Sequence, residues 1–475
     1  MESNTHSSPE SSATTSTAMK THLLEQPNLL WRVASSLTLG ATSMLCRGFL
    51  YGLNTVETTG LDRFLEVLDK RKDVEKRERG LITVCNHVSV MDDPLMWGIL
   101  PASYAFNPSN LRWGLGAHDI CFKNKALSTF FSLGQVLPTH RASYSPHGGA
   151  FQSTIPQAIR LLSAQPFANL RPGSLDAASP KAFSSNDVPD PFTSGDGLTY
   201  TTNGTDSIVA PSIYAQNRLA WVHIFPEGCI HQHPSLTMRY FKWGVARLIL
   251  ESEPMPDMLP MFIDGTQNIM SEERTWPRFL PRGGKKFHIT FGELLDMEAK
   301  FGDLRKKWQE LVRKDRLRAL SEVGKDQQSR SSSPSSWASL SSLWSSKSSS
   351  TTATLTSADE NSPAPITTST TTPTPSSSDP NSQLQLQLQS TVVQKQSRGQ
   401  LAMGELSEEL KYGAEAQALR IEVARRVRDE IEKLRVSLGY PEDDPKLGLA
   451  ETWAKEPADT RRFKSNVDGS LVTKE

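Results

Sequence analysis

From about Gln327 to Gln400 the chain runs through Ser, Thr and Pro tracts, with a Gln/Leu alternation near 383–389. Such a composition cannot bury enough apolar surface to offset chain entropy. Any folded core must therefore be assembled from the sequence on either side of this tract. A second break, 171–216, is rich in Gly, Pro, Ser and Asp, holds no lasting period, and reads as an inserted loop. Residues 1–19 are Ser/Thr-rich and expected to be disordered. The hydrophobic fraction, 37% of 475 residues, is low for a wholly folded chain and agrees with these exclusions.

The remaining sequence divides as follows. Residues 20–300 alternate strand, turn and helix patterns, which predicts one α/β layered domain interrupted at 171–216. "LRKKWQELVRKDRL" predicts a charged helix within 301–322, followed by the low-complexity linker at 323–403. In 404–439, Ala416, Leu419, Val423, Val427, Ile431, Leu434 and Leu438 recur at helical spacing, and Gly439 and Pro441 end the run. An apolar stripe after a long linker predicts a helix that docks back on the core, with 440–475 as a tail.

Lys plus Arg is 52 and Asp plus Glu is 52, so no global basic field points to nucleic acid. Cys46, Cys85, Cys121 and Cys229 show no CxxC spacing, which predicts reduced thiols and neither a disulfide framework nor a zinc site. The N-terminus has neither a secretory signal nor the acid-poor pattern of a cleaved presequence. Its first apolar stretch, Leu29–Leu53, has an uncharged core from Val33 to Cys46. That core is shorter than the roughly 20 apolar residues a bilayer span needs. Trp31, Phe49 and Tyr51 near its ends suit a segment lying in one leaflet. The alternative is a helix packed on the domain.

"TVCNHVSVMDDP", Thr83 to Pro94, joins a buried strand, Leu81–Cys85, to a helix expected to start with Asp93 as N-cap. His87 and Asp92 fall on the turn between them. On a continuous helix they would lie about 140° apart. A tight turn can bring them together, and a carboxylate-oriented imidazole is a general base; the alternative is a surface His beside two acidic cap residues. In "FFSLGQVLPTHR", Gly134 precedes a strand and Arg141 follows it, where a guanidinium could meet a phosphate. "WVHIFPEG" ends a strand at Pro226, Glu227 and Gly228, so that Glu can accept from a hydroxyl and Gly can let a ligand approach the backbone. "MRYFKWGVARL" predicts a helix on which Arg239, Lys242 and Arg247 form either a solvated face or a cradle for anionic head groups. In "MLPMFIDGT", Leu259-Pro260 lies in an apolar strand leading to Gly265, expected to line an apolar channel. His118 and Asp119, adjacent in an extended stretch, point to opposite faces and read as an incidental pair.

Taken in order, His87 to Asp92, Gly134 to Arg141, Phe225 to Gly228 and Leu259-Pro260 resemble the four motifs of the glycerolipid acyltransferase family. The resemblance covers about 50–170 and 218–300, and extends to 404–439. It implies a layered α/β fold with a mixed central sheet and flanking helices. It also implies that His87 deprotonates a lysophospholipid hydroxyl and that Asp92 holds the imidazole in the right tautomer. Arg141 would bind the phosphate and Glu227 with Gly228 the glycerol region; Arg239 and Lys242 are substrate-binding candidates on the cradle reading of their own stretch. "NHVSVMDDP", "DICF", "FFSLG", "FPEG" and "FKWG" are similar to the transacylase branch of the family, which remodels cardiolipin on mitochondrial membranes facing the intermembrane space. That branch implies phospholipid and lysophospholipid partners (cardiolipin, monolysocardiolipin, phosphatidylcholine), a membrane surface, no CoA, and neither cofactor nor metal. A CoA-dependent lysophospholipid acyltransferase shares the same four motifs, and a lipid-binding protein with an inactive site is a further alternative.

Overall fold

The computed structural model describes residues 26–142, 144–164, 166, 199–331, 406–454, 463–464 and 471–472. The disordered stretch expected at 1–19 and most of the expected linker lie outside these residues. The chain divides into two units. One comprises residues up to Arg313 together with those from Leu401 onward, and the other is 314–400. The first unit contains every element discussed below except the part of the helix Met297–Ser331 that follows Arg313.

Its strands are β1 (Thr55–Thr59), β2 (Leu81–Val84), β3 (Gly114–Ala117), β4 (Val136–Thr139), β5 (Thr199–Tyr200), β6 (Ile208–Val209), β7 (Trp221–Ile224), β8 (Asp257–Asp264) and β9 (Lys286–Phe291). Its principal helices are α1 (Leu29–Leu53), α2 (Leu61–Lys70), α3 (Asp92–Gly98), α4 (Lys125–Leu133), α5 (Thr154–Leu162), α6 (Gly244–Glu251), α7 (Met297–Ser331) and α8 (Ala414–Ser437). The central sheet is mixed and has five strands in the order β1-β9-β8-β2-β7. β8, β2 and β7 run parallel, with Val84 opposite both Pro260 and Ile224. All four residues of β2 are buried, as a central parallel strand covered on both faces requires. The α/β layered fold with a mixed sheet and flanking helices is the one expected.

Proline cannot donate a ladder hydrogen bond, so Pro260 inside a central strand needs an explanation. β8 pairs with β2 over 257–260 and then with β9, antiparallel, over 261–264. Pro260 thus sits where the strand changes partner. Phe64 of α2 stacks on Phe291 with centroids 4.7 Å apart and meets Trp221 edge-on, closing one face of the sheet.

The 25-residue helix α1 is docked along one side and bare along the other. Ser35, Leu39, Gly40, Cys46 and Leu50 are buried. Ser35 Oγ donates to the Leu133 carbonyl at 2.7 Å and Arg47 Nη1 to the Ile99 carbonyl at 3.0 Å. Leu29, Leu30, Trp31, Val33, Leu37, Leu45, Tyr51 and Leu53 are exposed. The docked face fits a helix packed on the domain; the other face is apolar and exposed. By length and composition alone the helix could cross a bilayer.

Helix α8 packs on the domain, burying Ala416, Leu419, Val423, Val427 and Ile431, with Leu434 and Leu438 half-buried. Its buried arginines reach across to loop carbonyls. Arg428 donates to Met238 and Arg239, and Arg435 to Ser235 and Leu236. Asp443, itself buried, bridges the two guanidinia at 2.5 and 3.0 Å.

Several boundaries differ from expectation. Met91, not Asp93, caps α3, and no side chain accepts there. Asp93 instead pairs with Arg112 and accepts from Trp97 Nε1. The charged helix continues to Ser331, into the expected linker, because helix formers persist through "KDQQ". The end of the expected insertion belongs to the core: β5 pairs with β6, and Tyr200 and Ile213 are buried. Within the expected tail, residues 440–454 pack against the domain through Tyr440, Asp443 and Trp453.

Candidate active site

Three parallel strands deliver three short loops to one end of the sheet, where ligands of α/β folds bind. His87 follows β2 by three residues, Glu227 follows β7 by three, and Thr266 follows β8 by two. The turn after β2 brings His87 and Asp92 together, with Nδ1 2.8 Å from Oδ2. The same carboxylate oxygen accepts the backbone N–H of Val88 at 2.7 Å and of Ser89 at 2.8 Å. These bonds fold the segment into the tight turn that the pair needed. Asp92 is fully buried, whereas the His87 side chain keeps 22% exposure. With Nδ1–H donating to Asp92, Nε2 carries the free lone pair. The His87 ring stacks on Phe225 with centroids 4.3 Å apart, which fixes its plane.

Glu227 is buried, and its carboxylate faces backbone rather than solvent. Oε1 accepts the N–H of His87 and Oε2 the N–H of Arg239, both at 2.9 Å. It ties the two loops together. Gly228 has φ +63°, and a Cβ there would meet Lys242 Nζ at 2.8 Å. Lys242 Nζ in turn lies 3.4 Å from the Gly228 carbonyl.

The predicted cationic helix is not formed over Arg239 and Lys242. Both lie in the loop before α6, which begins at Gly244. Arg247 is buried and ion-paired with Glu251 at 2.6 Å, so it belongs to no head-group face. Long-range bonds from Glu227 and α8 hold residues 235–239 in a non-helical form, with Leu236 at φ +49°, overriding their helical composition. The Arg239 guanidinium lies over the Trp453 ring, 3.8 Å from its centroid. Arg141 makes a bidentate pair with Asp119 and stacks on Tyr144 at 4.2 Å.

Asp119 is thus not incidental, and neither is His118, whose Nε2 lies 3.0 Å from Asp206 Oδ2. The two residues open a helical turn, His118–Cys121, rather than lying in an extended stretch, and each has its own partner. His118, His140 and Asp206 have ligand-type atoms within 4.8 Å of one another. Those atoms are already engaged, because His140 Nε2 meets Thr202 Oγ1 at 2.8 Å and Thr202 donates to Asp206. The three side chains clamp the β5–β6 hairpin to the end of β4.

Gly265 does not line a channel. Its φ is +102°, and a Cβ would fall 2.0 Å from the Lys286 carbonyl oxygen. Burial pushes the Cys85 thiol well up, with the Asp92 and Glu227 carboxylates adding to the effect, so no thiolate nucleophile stands beside the imidazole. The four cysteines are free thiols.

Residues 65–178, which include the strand-to-helix turn and its Asp-oriented imidazole, match the family model described as Acyltransferase, and the chain is an acyltransferase. The chain is 36% identical over 295 residues to Tafazzin of Saccharomyces cerevisiae, covering 60% of this chain and 68% of that protein. It is 28% identical over 284 residues to Tafazzin of Drosophila melanogaster, covering 60% of this chain and 57% of that one. This chain belongs to the tafazzin family. Among solved structures, the 1-acyl-sn-glycerophosphate acyltransferase PlsC of Thermotoga maritima aligns with 14% identity and a TM-score of 0.30, over 59% of this chain and 77% of that one.

Proposed function

We propose that this acyltransferase is a CoA-independent transacylase that moves acyl chains between phospholipids and lysophospholipids, with monolysocardiolipin as an acceptor. The observation that carries the reading is the His87–Asp92 contact at 2.8 Å, in a turn that leaves Nε2 as the basic atom. Nε2 takes the proton of a lysophospholipid hydroxyl as that oxygen attacks the ester carbonyl of a donor phospholipid. The tetrahedral intermediate collapses with its C–O bond to the donor glycerol breaking. The imidazolium returns its proton to that leaving oxygen, so acyl group and proton are both conserved. Asp92 keeps the ring in the Nδ1–H tautomer and stabilises the cation.

Arg141, Arg239 and Lys242 supply cations for head-group phosphates, and Glu227 with Gly228 shapes the loop against the glycerol. Glu227 does this by holding backbone N–H groups. The bare apolar face of α1 suits attachment to one leaflet. Its docked face, bonded to Leu133 and Ile99, favours a monotopic over a crossing arrangement. By the family resemblance, the membranes are the mitochondrial outer and inner membranes, on the side of the intermembrane space.

Purified protein supplied with labelled phosphatidylcholine or labelled acyl-CoA as sole acyl donor tests the reading. Label passing from phosphatidylcholine to monolysocardiolipin without CoA supports it. Transfer only from acyl-CoA overturns transacylation in favour of a CoA-dependent acyltransferase. Transfer from neither leaves a lipid-binding protein.

A further inference from the structure

We infer that Thr266 is a positioning residue for the reaction: its hydroxyl fixes the Asp92 carboxylate so that Asp92 can orient His87. The inference rests on the reading of His87 as the base. The two oxygens of Asp92 are unequally engaged. Oδ2 accepts from Val88 N, Ser89 N and His87 Nδ1. Oδ1 accepts from Thr266 Oγ1 at 2.5 Å, its single hydrogen bond among the described residues. Asp92 and Thr266 are both fully buried, so water cannot take the place of a lost hydroxyl. A buried carboxylate oxygen without a donor is unfavourable, and the carboxylate would turn about its Cβ–Cγ bond to recover one. Any such turn moves Oδ2 off the line to Nδ1 and tilts the imidazole that it holds.

The fold is built to put that hydroxyl there. β8 runs parallel to β2, so its exit lies beside the turn carrying His87 and Asp92. Gly265 then reverses the chain at φ +102°, packed against the Lys286 carbonyl with no room for a Cβ. The next residue, Thr266, is thereby directed back under Asp92. The proline strand is thus joined to the dyad by one side chain, 174 positions from Asp92 along the chain.

The test uses the full chain in phospholipid vesicles and compares Thr266→Val with Thr266→Ser. Val keeps the shape and lacks the hydroxyl, whereas Ser keeps the hydroxyl. A hydrogen bond to a charged group is worth about ten- to a hundredfold in rate when lost. We expect Thr266→Val to lower kcat by that factor with KM for the lysophospholipid unchanged, and Thr266→Ser to restore kcat to within a few-fold. Wild-type kcat in Thr266→Val overturns the inference, as does equal loss in both variants. Should Thr266→Val fail to fold, Thr266→Ala against Thr266→Ser gives the same comparison. Normal turnover in His87→Ala would instead overturn the reading of the base, a result distinct from either outcome at Thr266.

Discussion

The backbone N–H of His87 is held by a side chain 140 positions away: Glu227 Oε1 accepts it at 2.9 Å. The second oxygen of the same carboxylate accepts the N–H of Arg239. Glu227→Gln replaces one acceptor by an NH2 group that faces a backbone donor. Losing a buried acceptor of this kind costs about 1–3 kcal/mol. The expected outcome is a lower melting temperature together with a loss of turnover of about ten- to a hundredfold. An unchanged melt and unchanged kcat in Glu227→Gln would remove the clamp from the account.

At the dyad, His87→Ala should abolish acyl transfer and leave vesicle binding intact. Asp92→Asn removes the charge that stabilises the imidazolium, even with its amide oxygen kept on Val88 N, Ser89 N and His87 Nδ1 and its NH2 turned to Thr266 Oγ1. The cost should approach the roughly 10⁴-fold seen when an orienting carboxylate becomes an amide in a His-based site. Co-sedimentation with vesicles, measured beside turnover, separates lost chemistry from lost attachment.

Two buried histidines set the acid limit of stability. Burial, with His118 adding to it, holds His140 at about 4, and burial holds His223 at about 3. Both stay neutral in the fold and take up protons on unfolding below about pH 6.5. Stability from this source is therefore complete above about 6.5. It falls as pH drops toward 4 for His140 and toward 3 for His223. Thr83 Oγ1 accepts from Trp221 Nε1 and lies 2.8 Å from His223 Nδ1. His223→Gln can keep a hydrogen bond to that hydroxyl without titrating. The melting temperature of His223→Gln should fall less steeply between pH 6.5 and 4 than that of the parent, and an identical slope would rule His223 out.

Exposed leucines of α1 should hold the protein on the membrane. Leu37 and Leu45 are 60% and 76% exposed, whereas Leu39 is buried against the domain. Changing Leu37 and Leu45 together to Asp places two charges in the leaflet at roughly 1–3 kcal/mol each. The double variant should move to the soluble fraction with an unchanged melt, while the parent resists salt and yields to detergent. Release of the parent by salt alone would mean that charge, not apolar insertion, holds it.

The closing helix should be indispensable and the tract before it dispensable. Asp443→Ala leaves Arg428 and Arg435 without their shared buried carboxylate, a loss of about 3–5 kcal/mol. Deleting 332–400 should leave melt and turnover as they were, because that composition cannot contribute to a core. Denaturant midpoints for both variants check the contrast.

What could be read from the sequence was local. The His87–Asp92 contact lies within one turn, and the stripe from Ala416 to Ile431 lies within one helix; spacing pointed to the stripe, and to the contact only together with the other motifs. What escaped depends on contacts between distant segments. Thr266 carries no motif of its own and matters only because β8 and β2 run side by side. "RYFKWG" favours a helix in isolation, but Glu227 and the α8 arginines bind its backbone in another form. The hydropathy of Leu29–Leu53 revealed an apolar segment without saying that Leu39 faces the domain and Leu37 faces away. A marker for the Asp119–Arg141 pair was available in the acidic "HDIC" and in the Arg after β4. Treating His118 and Asp119 as partners of each other concealed it.

The grip of α8 on Arg239 has a consequence for the order in which the enzyme comes into being. Arg428 follows Arg239 by 189 residues. At about 5–20 residues per second, a ribosome takes roughly 10–40 seconds to make that interval. The intervening tract lengthens the wait, yet it adds little thermodynamic cost, since closure entropy grows only with the logarithm of loop length. Until α8 is made, the loop that gives Glu227 a second N–H lacks the bonds from Arg428 and Arg435. A product truncated before α8 never gains them, so full competence to cut and join lipid esters is expected only once that helix has been synthesised.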